Sequence, residues 1–79
     1  MVKPGRYRHY RGGIYVVLFT AQDSVTGTPV VVYMNETHGT FYTRPVKEFT
    51  ADVMVDSEDG GMPRFKLIDG HEKNYSRQP

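Results

Sequence analysis

The stretch Ile14-Tyr15-Val16-Val17-Leu18-Phe19-Thr20-Ala21-Gln22 decides the fold. It is strand-sized and rich in β-branched and aromatic residues, which fit a pleated surface better than a helix. Apolar side chains fall on both of its faces, as in a central strand covered on each side. Gly12-Gly13 stands immediately before it and reads as a two-residue hairpin turn, because both positions can take the positive φ of a type I′ turn. Ahead of that turn, Arg6 to Tyr10 reads as a partner strand. Its alternation places Arg6, Arg8 and Tyr10 on one face and Tyr7, His9 and Arg11 on the other. Met1 to Gly5 is expected to be a frayed leader.

Downstream, Asp23 to Thr28 is a loop, with Gly27 suited to the left-handed region. Val30 to Met34 is a second apolar strand, with Pro29 at its start, where a missing N–H costs least. Asn35 to Gly39 is a polar turn. Thr40 to Arg44 is a short strand that turns Phe41 and Thr43 one way and Thr40, Tyr42 and Arg44 the other. Pro45 to Phe49 suits a single helical turn with proline at its first position, from which Phe49 plugs the core. Ala51 to Asp56 and Pro63 to Ile68 flank a glycine-rich hairpin over Ser57 to Gly61. Residues 69–79 read as a flexible polar tail. Five or six short strands, tight turns and one helical turn predict an all-β domain over residues 6–68, a small SH3-like, strongly bent antiparallel sheet or barrel. An OB-like barrel is the next candidate.

Size and composition narrow the function. A chain of 79 residues is one domain with a thin core, burying only ~60–65% of its unfolded surface, a shortage that oligomerisation commonly relieves. Cysteine is absent, which removes disulfides and thiolate metal sites. Net charge is only +1, too small for a protein that tracks an extended nucleic acid. The charge is nevertheless polarised. Lys3, Arg6, Arg8 and Arg11 are the charged residues of the first 22, whereas Glu48, Asp52, Asp56, Glu58 and Asp59 occupy residues 48–59 without a base. No apolar run approaches the ~20 residues of a membrane span, and Met1-Val2-Lys3-Pro4 does not open a signal peptide, so the cytoplasm is the expected compartment.

The run Pro4-Gly5-Arg6-Tyr7-Arg8-His9-Tyr10-Arg11-Gly12-Gly13, then Val31-Val32-Tyr33, Thr43-Arg44-Pro45 followed by Phe49, and Met62-Pro63-Arg64-Phe65 resemble, in order and spacing, a family of small bacterial and phage domains of unknown function. Its members read PGRYRHYKGG, YEVL, VVY, LWVRP, MF and VPRF. The resemblance covers residues 4–68 and implies a compact β-rich domain of cytoplasmic or phage origin. It carries no activity with it. This chain departs from the family at Tyr42, where tryptophan is usual, at Val16, usually glutamate, at Asp23, often histidine, and at Asn35-Glu36-Thr37-His38, in place of an L-Y-G-D-like turn. A ligand touching those positions would be met differently here.

Catalytic constellations are not evident. Ser24, Ser57 and Ser76 have no histidine beside them, and His9, His38 and His71 lack metal-ligand spacing. No catalytic residue, metal or cofactor is assigned, and the chain reads as non-enzymatic. Arginines on strands fare better as chemistry. Guanidinium forms a planar donor fork that fits phosphate or carboxylate, and its face stacks on rings. Tyr7, Tyr10, Tyr15, Tyr33 and Tyr42 could supply such rings. The competing reading has the arginines paired with the acidic run and with carbonyls at strand ends, and it is favoured for Arg64. The candidate ligand residues are Arg6, Arg8, His9, Tyr10, Tyr42 and Arg44, with the Arg6–Arg8–Tyr10 face preferred because two arginines are costly to bury unpartnered.

The expected function is binding of a small anionic or nucleotide-like ligand by a homo-oligomer, in a phage setting to sequester a host signalling nucleotide. The alternative is a protein-interaction module that docks a partner through its charged faces.

Overall fold

The computed structural model describes residues 2–54 and 61–70. The hairpin loop over Ser57 to Gly60, the acidic residues Asp56, Glu58 and Asp59, and residues 71–79 of the expected tail lie outside the described residues, whereas Asp69 and Gly70, assigned to that tail, end the last strand and pair with Arg6 and Gly5.

Among the described residues, seven strands and one helical turn follow one another: β1 (Gly5–His9), β2 (Ile14–Gln22), β3 (Pro29–Asn35), β4 (Phe41–Pro45), α1 (Val46–Phe49), β5 (Asp52–Met54), β6 (Gly61–Pro63) and β7 (Phe65–Gly70). Five of them form an antiparallel sheet in the order β4-β3-β2-β1-β7, while β5 and β6 pair separately. The domain is therefore all-β, with the long apolar strand β2 at the centre of its main sheet. No pairing joins β4 to β7 among the described residues, so the main sheet has two edges.

Register explains which side chains form the core. Val17 lies opposite Tyr33, which lies opposite Tyr42, and Tyr7 lies opposite Tyr15. These residues share one face, together with Val31 and Arg44. On it Tyr7, Val17, Val31 and Tyr33 are buried, and Phe49 from α1 and Phe65 from β7 close over them. Rings dominate this small core. Phe49 stacks on Phe65 with centroids 4.1 Å apart and planes 3° from parallel, and meets Tyr7 and Tyr33 edge-on at 5.5 and 5.4 Å. Offset and edge-on contacts of this kind add ~0.5–1.5 kcal/mol per pair beyond the burial of area.

The opposite face is less covered than the sequence suggests. Arg6, Val16, Met34 and Phe41 lie abreast on neighbouring strands, and Phe19 and Phe41 remain 56% and 63% exposed. The apolar residues on both faces of β2 thus do not mean two buried faces. A bulge adds to the mismatch. The register passes from Val17–Tyr33 to Phe19–Val32, so Leu18 is an extra residue on β2 and the alternation shifts beyond it.

Three further expectations are corrected. Residues 2–5 are not frayed: Val2 belongs to the core cluster, the Tyr7 hydroxyl donates to the Lys3 carbonyl at 2.6 Å, and Gly5 already opens β1. Gly12-Gly13 is not the centre of a two-residue turn. His9 N–H donates to Gly13 O and Gly12 N–H to His9 O, which leaves Tyr10, Arg11 and Gly12 as a three-residue loop. Gly12 and Gly13 take φ of 100° and 89° at the exit of that loop, where a glycine-type bulge needs positive φ. Lastly, residues 63–68 are not one strand. Arg64 breaks them, its N–H donating to Ala51 O and its carbonyl accepting from Tyr10 N–H, so β6 and β7 belong to different sheets. The turns at Gly27 and Gly39 and the helical turn ending in Phe49 match the reading from sequence, except that Pro45, with ψ of 139°, precedes the first helical residue.

Candidate ligand-binding site

A cavity of about 220 Å³ opens beside the ring core, lined by His9, Tyr15, Tyr33, Tyr42, Arg44 and Phe65. The strands build it by register. Tyr33 and Tyr42 are direct partners on β3 and β4, Arg44 is two residues further along β4, and His9 faces Phe65 across β1 and β7. Tyr15 stands among these residues, with ring centroids 5.7 Å from both Tyr33 and Phe65 and 6.4 Å from Tyr42. The walls are therefore aromatic, and packing between neighbouring rings limits their rotation.

Arg44 is the permanent charge in this lining. Its Nε donates to the Tyr33 hydroxyl at 3.3 Å, and its Nη1 pairs with Glu48 Oε1 at 3.2 Å, one turn further along the chain. The Tyr33 hydroxyl raises the Arg44 pKa, against the opposing effect of burial and with help from Glu48, so the guanidinium stays charged. Glu48 also accepts from Arg64 Nε through its backbone carbonyl, at 3.2 Å. Arg64 is thus paired with a carbonyl, though with one in α1 and not at the end of a strand.

His9 is the titratable wall. Its Nδ1 accepts the Arg11 backbone N–H at 3.1 Å, so the neutral ring carries its proton on Nε2. Burial pushes its pKa below the usual imidazole range, and the charges of Arg44, Arg64 and Arg11 push the same way. A histidine whose folded pKa is depressed contributes stability that is complete above the unfolded value of ~6.5 and is lost as pH falls below it. The melting temperature should therefore decline between about pH 7.5 and pH 5.5, and His9→Gln should flatten that decline. An equal slope in the variant would place the titration elsewhere. Asp23 and Glu36 do not confuse this window, since Asp23 accepting backbone N–H groups and Glu36 bound by Arg6 are both carboxylates with lowered pKa.

Of the six sequence candidates, the cavity unites His9, Tyr42 and Arg44. Tyr10 adjoins it, its ring 4.7 Å from that of His9 and under the Arg11 guanidinium at 5.6 Å. Arg6 and Arg8 lie on the opposite face of β1. Arg6 makes a two-pronged ion pair with Glu36 at 2.7 and 2.9 Å, and Arg8 is exposed. The face preferred from sequence is thus not the face with the cavity. Phe65 was not among the candidates. Its pairing with β1 depends on the break at Arg64, for which the sequence gives no periodic signal.

Among the described residues no three His, Asp or Glu side chains converge to hold a metal ion, and no helix is long and apolar enough to cross a membrane. Comparison with curated proteins finds no match. A crystal structure of a DUF1653 protein from Bordetella bronchiseptica is similar, with a TM-score of 0.74 and 34% identity over 89% of this chain and 90% of that one. Residues 5–67 match the family described as protein of unknown function DUF1653, and with well over half of the chain matched, the chain belongs to that family.

Proposed function

We propose that the domain binds a small planar ligand bearing negative charge, with the ring between the aromatic walls of the cavity and the charge at Arg44. The observation behind this is a fixed guanidinium set in a cup of tyrosines. Aromatic cups also suit quaternary ammonium groups. Here the arginine in the wall opposes a cation, and Arg44, Arg64 and Arg11 add to burial in disfavouring a positive charge on His9. Ring stacking contributes ~1–3 kcal/mol per base when the ligand is a nucleotide. The cavity is smaller than the ~300–1,000 Å³ of ordinary small-molecule sites, which favours one ring over two. Holding such a ligand without converting it is what sequestration of a signalling nucleotide requires.

The test is a thermal-shift and calorimetry panel of nucleosides, mononucleotides, dinucleotides and cyclic oligonucleotides, with tetramethylammonium as the cationic control. A true ligand at a hundred times its Kd stabilises the fold by about 2.7 kcal/mol, which raises Tm by roughly 10 °C or more in a domain of this size. Silence across the anionic members at millimolar concentration, or a shift with the ammonium ion alone, would reject the reading.

A further inference from the structure

We propose that the mouth of the cavity is a phosphate subsite formed by Arg44, Arg64 and Arg11, so that the preferred ligand is a ring joined through a sugar-length spacer to a phosphate monoester. This rests on the reading of the cavity as a ring-binding cup, and it adds which anion is taken and by which residues.

Glu48 fastens two of the three arginines. Its carboxylate holds Arg44 Nη1 and its backbone carbonyl holds Arg64 Nε, which brings two guanidinium groups to one residue of α1. Arg11 lies on the His9 side, over the Tyr10 ring that adjoins His9. All three cations are close enough to His9 to oppose its protonation. Glu48 is the one carboxylate paired with any of these three arginines among the described residues, and its side chain is 58% exposed. Arg44 and Arg64 thus share Glu48, one through its carboxylate and the other through its carbonyl, with Arg11 a third cation on the His9 side, and a phosphate dianion would balance the charge that one carboxylate leaves over.

The donors are also available. Nη2 of Arg44 and both Nη atoms of Arg64 have no hydrogen-bond partner among the described residues. Because Glu48 holds Arg64 by Nε alone and Arg44 by Nη1, each keeps outer N–H groups for an incoming oxygen. Arginine is suited to this task, since its planar fork meets phosphate oxygens in pairs. Size supplies the spacer. A cavity of about 220 Å³ takes a ring but leaves a phosphate outside it, on the side of Arg44, the arginine of its lining, whose partner Glu48 also holds Arg64. An aromatic carboxylate would carry its charge at the ring and reach Arg44 only.

The experiment compares nucleosides with their 5′-monophosphates on the full chain, by calorimetry and by the ring-proton NMR shifts of Tyr15, Tyr33 and Tyr42. The phosphate should tighten binding about 10- to 100-fold, the range of one or two hydrogen bonds to a charged group. Arg64→Gln should remove most of that ratio and leave nucleoside affinity unchanged. Arg11→Gln, at an exposed loop position, should reduce the ratio without touching the fold and serves if Arg64→Gln is unstable. Equal binding of nucleoside and monophosphate would overturn the subsite while leaving the ring cup intact. A preserved ratio in both variants would overturn the assignment of the arginines. Absence of any nucleoside signal as well would mean that the cup itself, and the subsite with it, is wrong.

Discussion

Replacing Phe49 with alanine should lower the unfolding free energy by about 3–5 kcal/mol, the range for removing a large buried aromatic ring. Phe49 is 2% exposed and is the contribution of α1 to the core. Its ring contacts Phe65, Tyr7 and Tyr33 at once, so truncation leaves a gap bordered by three other rings that cannot all close on it. At ~0.05–0.15 kcal/mol per residue, a domain of 79 residues has about 4–12 kcal/mol in total, so the loss takes between about a quarter and all of it. Urea unfolding followed by tyrosine fluorescence and far-UV circular dichroism measures it directly. A loss below about 1 kcal/mol would mean that α1 is not docked in solution. The Arg6–Glu36 pair makes a useful contrast. Its geometry is good, but both side chains are about two-fifths exposed, so screening by water keeps its worth far below that of the ring.

Arg44→Gln should weaken ligand binding by about 10- to 100-fold, because it removes charged hydrogen bonds worth ~1.5–3 kcal/mol from the aromatic cup. The effect on folding should be small. What the fold loses is a bond to the Tyr33 hydroxyl and an ion pair with the exposed Glu48 carboxylate, together near about 1 kcal/mol. Binding and stability should therefore separate at this position, whereas they fall together in Phe49→Ala. Arg8→Gln is the matching control. It changes the same kind of side chain on the other face of the sheet and should leave affinity within about two-fold, since a charge there is screened by solvent. The opposite pattern, with Arg8→Gln abolishing binding and Arg44→Gln neutral, would move the site to the outer face.

Much of this domain could be read from its residues. The long strand β2, the polar turns at Gly27 and Gly39, and Phe49 as a core plug follow from patterning, glycine and proline, which act locally. The division of this run into Arg6, Arg8 and Tyr10 against Tyr7, His9 and Arg11 is a local consequence of pleating, and it holds only as far as β1 extends: Tyr10 and Arg11 lie in the loop beyond His9, where the Tyr10 ring packs on His9 and under Arg11. What alternation cannot supply is which of two faces is concave. The cost of burying arginine correctly keeps Arg6 and Arg8 in solvent, yet it says nothing about where a cavity opens. Arg44 was nominated, but its place beside Tyr33 depends on the pairing of β3 with β4. That pairing is partly legible from the length of the turn between them. Two features were not legible at all. The bulge at Leu18 changes the parity of β2 with no glycine to mark it, and the break at Arg64 is fixed by hydrogen bonds to Ala51 and Tyr10, both far away in sequence.

Glu48 and Phe49 are neighbours in a helix of a single turn, one tethering two arginines and the other filling the core. This adjacency constrains how the domain can diversify. A change that re-aims Glu48 shifts the peptide that positions Phe49, so altering ligand choice there carries a folding cost with it. Edge strand β4 has no such tie on its outer side, and Tyr42 is 44% exposed. On the proposed reading, new ligand preferences can therefore be acquired most freely at Tyr42, while the helical turn stays fixed as the hinge between inheritance of the fold and novelty at the site.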